Sequence, residues 1–101
     1  MLRHLMIAAL AASAVATIAA ASAAEREAPL KDAPGRELVE GNCAACHSLA
    51  YIRTNSPFMT AKVWEAEVTK MINAFGAPIE PADAKAIIEY LARNYGSPGQ
   101  R

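Results

Sequence analysis

The stretch "GNCAACHS", residues 41–48, contains both cysteines of the chain and one of its two histidines. Cys43 and Cys46 are three positions apart, so a single helical turn brings both thiols to one side, and His47 follows directly. Three kinds of chemistry use such a pair: a zinc site, a disulfide, and the covalent attachment of a haem. The rest of the sequence has to discriminate among them.

Zinc and disulfide chemistry each use only part of this motif. A structural zinc site takes four ligands, commonly from two cysteine pairs, and this chain has one pair. A redox dithiol normally follows a strand, whereas no strand pattern precedes this one, and a Cys43–Cys46 disulfide closes too short a loop to stabilise much. Haem attachment uses the whole motif, with thioethers from both cysteines and an iron ligand from His47. The motif therefore predicts one covalent haem c.

Residues 1–24 have the pattern of a secretory signal peptide. They begin with the basic residue Arg3, continue as an uncharged apolar run over 5–21, and end with the small residues Ala21 and Ala23 that a signal peptidase needs. A membrane anchor is the alternative, but the run is rich in alanine and lacks a basic flank at its end. We expect export to the periplasm and cleavage at this end, with no membrane span left after cleavage.

The composition of the remaining chain excludes some functions. Removing 24 of the 101 residues leaves 77, with nine basic residues against ten acidic ones. No basic stripe is present, so a nucleic-acid partner is not expected. A core built from so few residues usually needs a staple such as a metal or a cofactor, and a covalent haem supplies one.

The chain downstream of the signal divides into three parts. Residues 25–34 are charged, contain two prolines and lack an apolar period, which predicts a flexible leader. Residues 35–96 show helical periodicity without strand alternation, and residues 97–101 form a short tail. The predicted fold class is a small all-α domain around one haem.

Three main helices are expected in this domain. The first covers roughly 35–46, and a loop over 48–58 follows it. The second helix is capped by Thr60 and ends at a "GAP" turn, and the third begins at Pro81 and ends before Gly96. The apolar faces of the second and third helices comprise Trp64, Val68, Met71 and Phe75, and Ile87, Ile88, Leu91 and Tyr95.

With these elements placed, the domain resembles a class I c-type cytochrome. In that family a glycine and a large apolar residue, eight and four positions before the first cysteine, pack against the C-terminal helix. The matching residues are Gly35 and Val39, and the resemblance implies Leu91 or Tyr95 as their partners. The segments "CAACHSLAYI", "WEAEVTKMINAFGAPI" and "AIIEYLARNYG" are more narrowly similar to the small cytochrome subunit of bacterial sulfite dehydrogenases. The likeness spans roughly 36–96.

The resemblance implies a partner as well as a cofactor. In those dehydrogenases a molybdenum-containing subunit oxidises sulfite and passes electrons singly to the haem. The chain would then be a one-electron carrier with no enzymatic activity of its own, delivering electrons to a downstream cytochrome c or an oxidase. Because the "FGAP" block recurs in related cytochromes, the alternatives are a haem subunit serving another dehydrogenase, a freely diffusing cytochrome, or a haem sensor with an open iron site.

Two methionines are candidates for the axial position opposite His47. Met1 and Met6 leave with the signal peptide, so Met59 and Met71 are the thioethers of the mature chain. Met59 follows the haem motif closely, on the side where the chain still wraps His47, whereas Met71 lies on the apolar face of the second helix. The resemblance places the ligand in the block that contains Met71. We expect Met71, with Met59 as the alternative.

Four further residues are candidates for the haem surroundings. Tyr51 and Arg53 follow the motif and can bind haem propionates. The alternative for Arg53 is an exposed charge without a role. Trp64 is either a core residue or a propionate donor, because a buried indole N–H needs an acceptor. The resemblance implies that a carbonyl near Pro57 accepts a hydrogen bond from the second ring nitrogen of His47.

Overall fold

The computed structural model describes residues 28–99, and this part of the chain is helical, without a strand. The elements in chain order are α1 (Arg36–Cys43), α2 (Ala50–Asn55), a 3-10 helix (Ser56–Phe58), α3 (Ala61–Asn73) and α4 (Pro81–Tyr95). The predicted all-α fold class is confirmed. The predicted signal peptide lies outside the described residues, and within them no helix is long and apolar enough to cross a membrane.

The two long helices begin where the sequence predicts. The hydroxyl oxygen of Thr60 accepts a hydrogen bond from the backbone N–H of Val63 at 3.3 Å, which caps α3. Pro81 occupies the first turn of α4, where its missing N–H costs nothing. The first helix is shorter than predicted and ends at Cys43, because residues 44–46 are exposed and bury nothing that would stabilise a further turn.

The prediction of a loop over 48–58 is wrong. This segment forms α2 and the 3-10 helix. Ile52 is the one buried residue of α2, and the side chain of Asn55 donates to the carbonyl of Tyr51 at 2.8 Å. A six-residue helix with a single buried residue has no apolar period, so periodicity could not reveal it.

The core forms where α4 packs against α1 and α3. Gly35 has φ +97°, and a Cβ at this position would lie 3.0 Å from the Cβ of Tyr90 and 3.2 Å from the carbonyl oxygen of Ala86. Gly35 thus lets the start of α1 approach α4 closely, as the resemblance implies, but its neighbours are Tyr90 and Ala86 instead of Leu91 or Tyr95. The buried residues of the core are Leu30, Val39, Ile52, Met59, Trp64, Val68, Ile87, Tyr90, Leu91 and Tyr95.

Part of the predicted flexible leader packs against the domain over its described residues. Leu30 is only 2% exposed and belongs to the core. The backbone N–H and the backbone carbonyl of Lys31 are both hydrogen-bonded. The Tyr90 hydroxyl donates to the Lys31 carbonyl at 2.6 Å, and the Lys31 N–H donates to the Tyr95 hydroxyl at 2.9 Å. We call Leu30 and Lys31 the N-terminal strap. Within the described residues, the packed domain therefore extends to the strap, five residues before Gly35.

Candidate functional site

An apolar cavity of about 220 Å³ lies between the turn after α1, α2, α3 and α4. It brings together three of the predicted site residues, Cys43, His47 and Met71, which come from distant parts of the sequence. Tyr51 also lines it. The remaining lining side chains are Ile52, Trp64, Glu67, Val68, Lys70, Phe75 and Leu91.

Met59 lies apart from this cavity. Its side chain is 7% exposed and packs in the core, and its carbonyl accepts a hydrogen bond from the N–H of Ser97 at 2.8 Å. Met71, by contrast, is partly exposed and faces the cavity that His47 also lines. The positions of the two thioethers therefore favour Met71 over Met59 as the partner of His47.

The two cysteines differ in their surroundings. Cys43 is half-buried against the core, whereas Cys46 is exposed, and both are free thiols. Burial, and then the neighbouring Cys46, raises the pKa of the Cys43 thiol above its ordinary value. Cys43 therefore remains a neutral thiol over a wider pH range than an isolated cysteine does.

His47 is exposed at the mouth of the cavity. Its Nδ1 lies 3.3 Å from the carbonyl oxygen of Ser48, and its ring centroid is 5.3 Å from that of Tyr51. The resemblance implies a carbonyl near Pro57 as the hydrogen-bond acceptor for His47. In the structure the carbonyl of Ser48 lies beside the His47 ring instead. With the proton on Nδ1, that nitrogen donates to Ser48, and Nε2 keeps its lone pair for a metal ion.

Trp64 and Arg53 contribute less to the site than the sequence suggests. The indole N–H of Trp64 donates to the Tyr95 carbonyl at 2.9 Å, and the hydroxyl of Ser56 donates to the same oxygen. The indole donor is thus used inside the protein, which favours the core role of Trp64, although its ring lines the cavity. Arg53 lies on α2 and is not among the residues lining the cavity.

Sequence reasoning missed an ion pair beside the cavity. Lys70 Nζ lies 2.6 Å from Glu67 Oε1, and both side chains line the cavity together with Met71. The hydrogen bond to Glu67 raises the pKa of the Lys70 ammonium group. The signal was present in the sequence, because Glu67, Lys70 and Met71 have the i, i+3, i+4 spacing of one helix face.

The donor set fits a covalently attached haem. Two free thiols lie at the required spacing, an imidazole follows them, and a thioether lines the same cavity. Among residues 28–99, no group of three or more Cys, His, Asp or Glu side chains gathers that could hold a metal ion on its own. The cavity is smaller than the roughly 300–1,000 Å³ of most ligand sites. A larger cofactor would extend past the cavity. Phe75 lines the cavity and is exposed, whereas Cys46 is exposed and is not among the lining residues.

Comparison with known proteins adds no further assignment. A scan against protein-family models and a search of curated proteins both give no match. The function must therefore be argued from the residues of the site and from their arrangement.

Proposed function

We propose that the protein is a periplasmic c-type cytochrome with one haem that carries single electrons. The observation that carries the proposal is the meeting of Cys43, His47 and Met71 around one apolar cavity. Cys43 and Cys46 would hold the haem through thioethers, and His47 and Met71 would bind its iron. When bound, the haem supplies a reversible one-electron change between ferric and ferrous iron.

The residues of the chain have three tasks in this proposal. The carbonyl of Ser48 would accept a hydrogen bond from a protonated Nδ1 of His47 and so orient the ring. The apolar side chains Val68 and Leu91 exclude water from the cavity and disfavour the more highly charged ferric state. The thioether of Met71 favours the ferrous state relative to a second imidazole. Together these residues support a potential suited to accepting electrons from a reductant.

The proposed electron donor is a molybdenum-containing sulfite-oxidising subunit. Support comes from the three segments that resemble the small subunit of bacterial sulfite dehydrogenases, since each contributes residues to the cavity: Cys43, His47 and Tyr51 from the first, Met71 and Phe75 from the second, and Leu91 from the third. The formal charge near zero predicts weak electrostatic steering of the partner and a mild salt dependence of the electron-transfer rate.

The visible spectrum tests the carrier proposal against an open-site haem sensor. The purified, exported protein should be low-spin in both oxidation states and should not bind carbon monoxide, because His47 and Met71 would both bind the iron and leave no site for the gas. A high-spin ferrous state that binds carbon monoxide readily would contradict the carrier proposal and favour the sensor.

A reconstitution experiment tests the sulfite partner separately. Sulfite should reduce the cytochrome only when the molybdenum-containing sulfite oxidase of the same source is added. No reduction with that enzyme present would contradict the sulfite assignment and favour another dehydrogenase or a freely diffusing cytochrome. Reduction of the isolated cytochrome by sulfite would also contradict it, because the chain would then need no molybdenum partner.

A further inference from the structure

Phe75 is a large aromatic residue that lies in an unusual place. Its side chain is 71% exposed, although it lines the same apolar cavity as Met71 and His47. A phenyl ring exposed to this extent keeps apolar surface in contact with water. Burying that surface would lower the free energy. An occupant of the cavity that reaches past the mouth would cover the ring.

The backbone around Phe75 ties its position to that of Met71. Met71 lies in the last turn of α3, and Phe75 follows two residues after the helix ends at Asn73. Gly76 then reverses the chain with φ +71°, and the N–H of Ala77 donates to the carbonyl of Met71 at 2.9 Å. One short turn therefore sets the backbone positions of Met71 and Phe75 relative to each other.

Phe58 provides a comparison within the same chain. It is 79% exposed, so its solvent exposure matches that of Phe75. Phe58 lines a different groove, together with Pro57, Thr60 and Pro98, and it is not among the residues that line the cavity of Met71. The two phenylalanines thus differ in location rather than in exposure.

We propose that Phe75 is a positioning and shielding residue for the haem. Its ring packs against the part of the haem that extends from the cavity beside Met71, and it keeps water and small ligands away from the bond between Met71 and the iron. This inference rests on the proposed function, because it needs a haem in the cavity. It extends that function by naming a residue that sets ligand access and potential without binding the iron.

Two variants and a matched control test the proposal: Phe75→Ala, Phe75→Leu and Phe58→Ala. Imidazole is titrated into the ferric holoproteins, and the reduction potential is measured by voltammetry. Loss of one aromatic packing contact should raise the affinity for imidazole by about tenfold in Phe75→Ala. The potential should fall, because water at the haem favours the ferric charge. Phe75→Leu should lie between Phe75→Ala and the wild type, and Phe58→Ala should match the wild type.

The outcomes separate the shielding role from the cofactor itself. A wild-type protein with covalent, low-spin haem and a Phe75→Ala variant with unchanged imidazole affinity and potential would overturn the shielding role alone. Equal shifts in Phe75→Ala and Phe58→Ala would overturn it too, because the effect would then not depend on the cavity. A wild-type protein that carries no covalent haem would overturn the shielding role together with the proposed function.

Discussion

Met59 and Met71 have the same chemistry and very different positions. Met59 is a core residue, and Met71 lines the cavity beside His47. The sequence alone favours Met71 partly through its resemblance to a family. The fold adds a physical reason, because the Met59 thioether is buried in the core and would have to leave its packing to reach the cavity.

Substitution of the two methionines should have opposite effects. Met71→Ala should abolish the near-infrared sulfur-to-iron absorption band and open the iron to carbon monoxide. Met59→Ala should preserve the band but lower the free energy of unfolding by about 2–5 kcal/mol, the usual cost of truncating a core methionine. Visible spectroscopy and urea titration of both holoproteins measure these effects, and loss of the band in Met59→Ala alone would transfer the ligand to Met59.

The two cysteines should also differ in reactivity before haem is attached. In the haem-free protein, Cys46 should be alkylated faster than Cys43 near neutral pH, because Cys46 is exposed and the raised pKa of Cys43 reduces its thiolate fraction. The difference should narrow as the pH rises through the pKa of Cys43. Peptide mapping after a short pulse of iodoacetamide measures both rates, and faster labelling of Cys43 would contradict the burial seen in the structure.

At the scale of elements, the crossing of α1 and α4 depends on one glycine. Gly35→Ala should destabilise the protein, since a left-handed conformation costs a non-glycine residue about 1–2 kcal/mol. The new Cβ would also lie only 3.0 Å from the Cβ of Tyr90. The change in the free energy of unfolding is measured by urea denaturation of the holoprotein.

Gly41 is the matched control for this crossing. It lies inside α1, and a Cβ there would meet nothing within 4 Å. Gly41→Ala should therefore stabilise the protein by about 0.5–1 kcal/mol, through helix propensity alone. Equal effects of the two substitutions would show that α1 does not approach α4 closely at Gly35.

The elements that sequence reasoning identified are those with a long apolar period. Helices α3 and α4 each present such a face, and their caps at Thr60 and Pro81 are local signals. Helix α2 was missed because its single buried residue, Ile52, leaves no period to detect. The cysteine and histidine donors were found because they are adjacent in one motif. The spacing of Glu67 and Phe75 relative to Met71 was visible too, but only the packing of α3 shows that both residues line the same cavity as Cys43 and His47.

At the scale of the whole molecule, the N-terminal strap joins the two ends of the domain. Leu30 fills the core, and the Lys31 N–H binds the Tyr95 hydroxyl, 64 residues further along the chain. Nothing in a charged ten-residue segment with one leucine predicts such an anchor, because the contact is long-range and the signal is a single residue. The backbone carbonyl of Tyr95 also accepts a hydrogen bond from the indole N–H of Trp64, which lines the cavity. Tyr95 is therefore hydrogen-bonded both to the strap and to the cavity wall.

Removal of the strap contacts should therefore weaken the whole domain. Leu30→Ala should lower the free energy of unfolding by about 2–5 kcal/mol, as other buried leucines do. Tyr95→Phe should cost about 1–3 kcal/mol, because the Lys31 N–H loses its acceptor. Asp32→Ala is the control: its carboxylate is 91% exposed, and its pairing with Arg36 should contribute at most about 1 kcal/mol. Thermal unfolding that is unchanged in Leu30→Ala would show that the strap is not part of the folded domain.

The proposed function depends on a covalent haem, and intact mass spectrometry under denaturing conditions detects that haem directly. The full chain is expressed in a host that attaches haem to exported proteins and is purified from the periplasm. We expect a chain cleaved near Ala23 or Ala24 that carries the mass of one haem, and a double variant, Cys43→Ala with Cys46→Ala, that carries none. A wild-type chain without haem, joined instead by a Cys43–Cys46 disulfide, would contradict it.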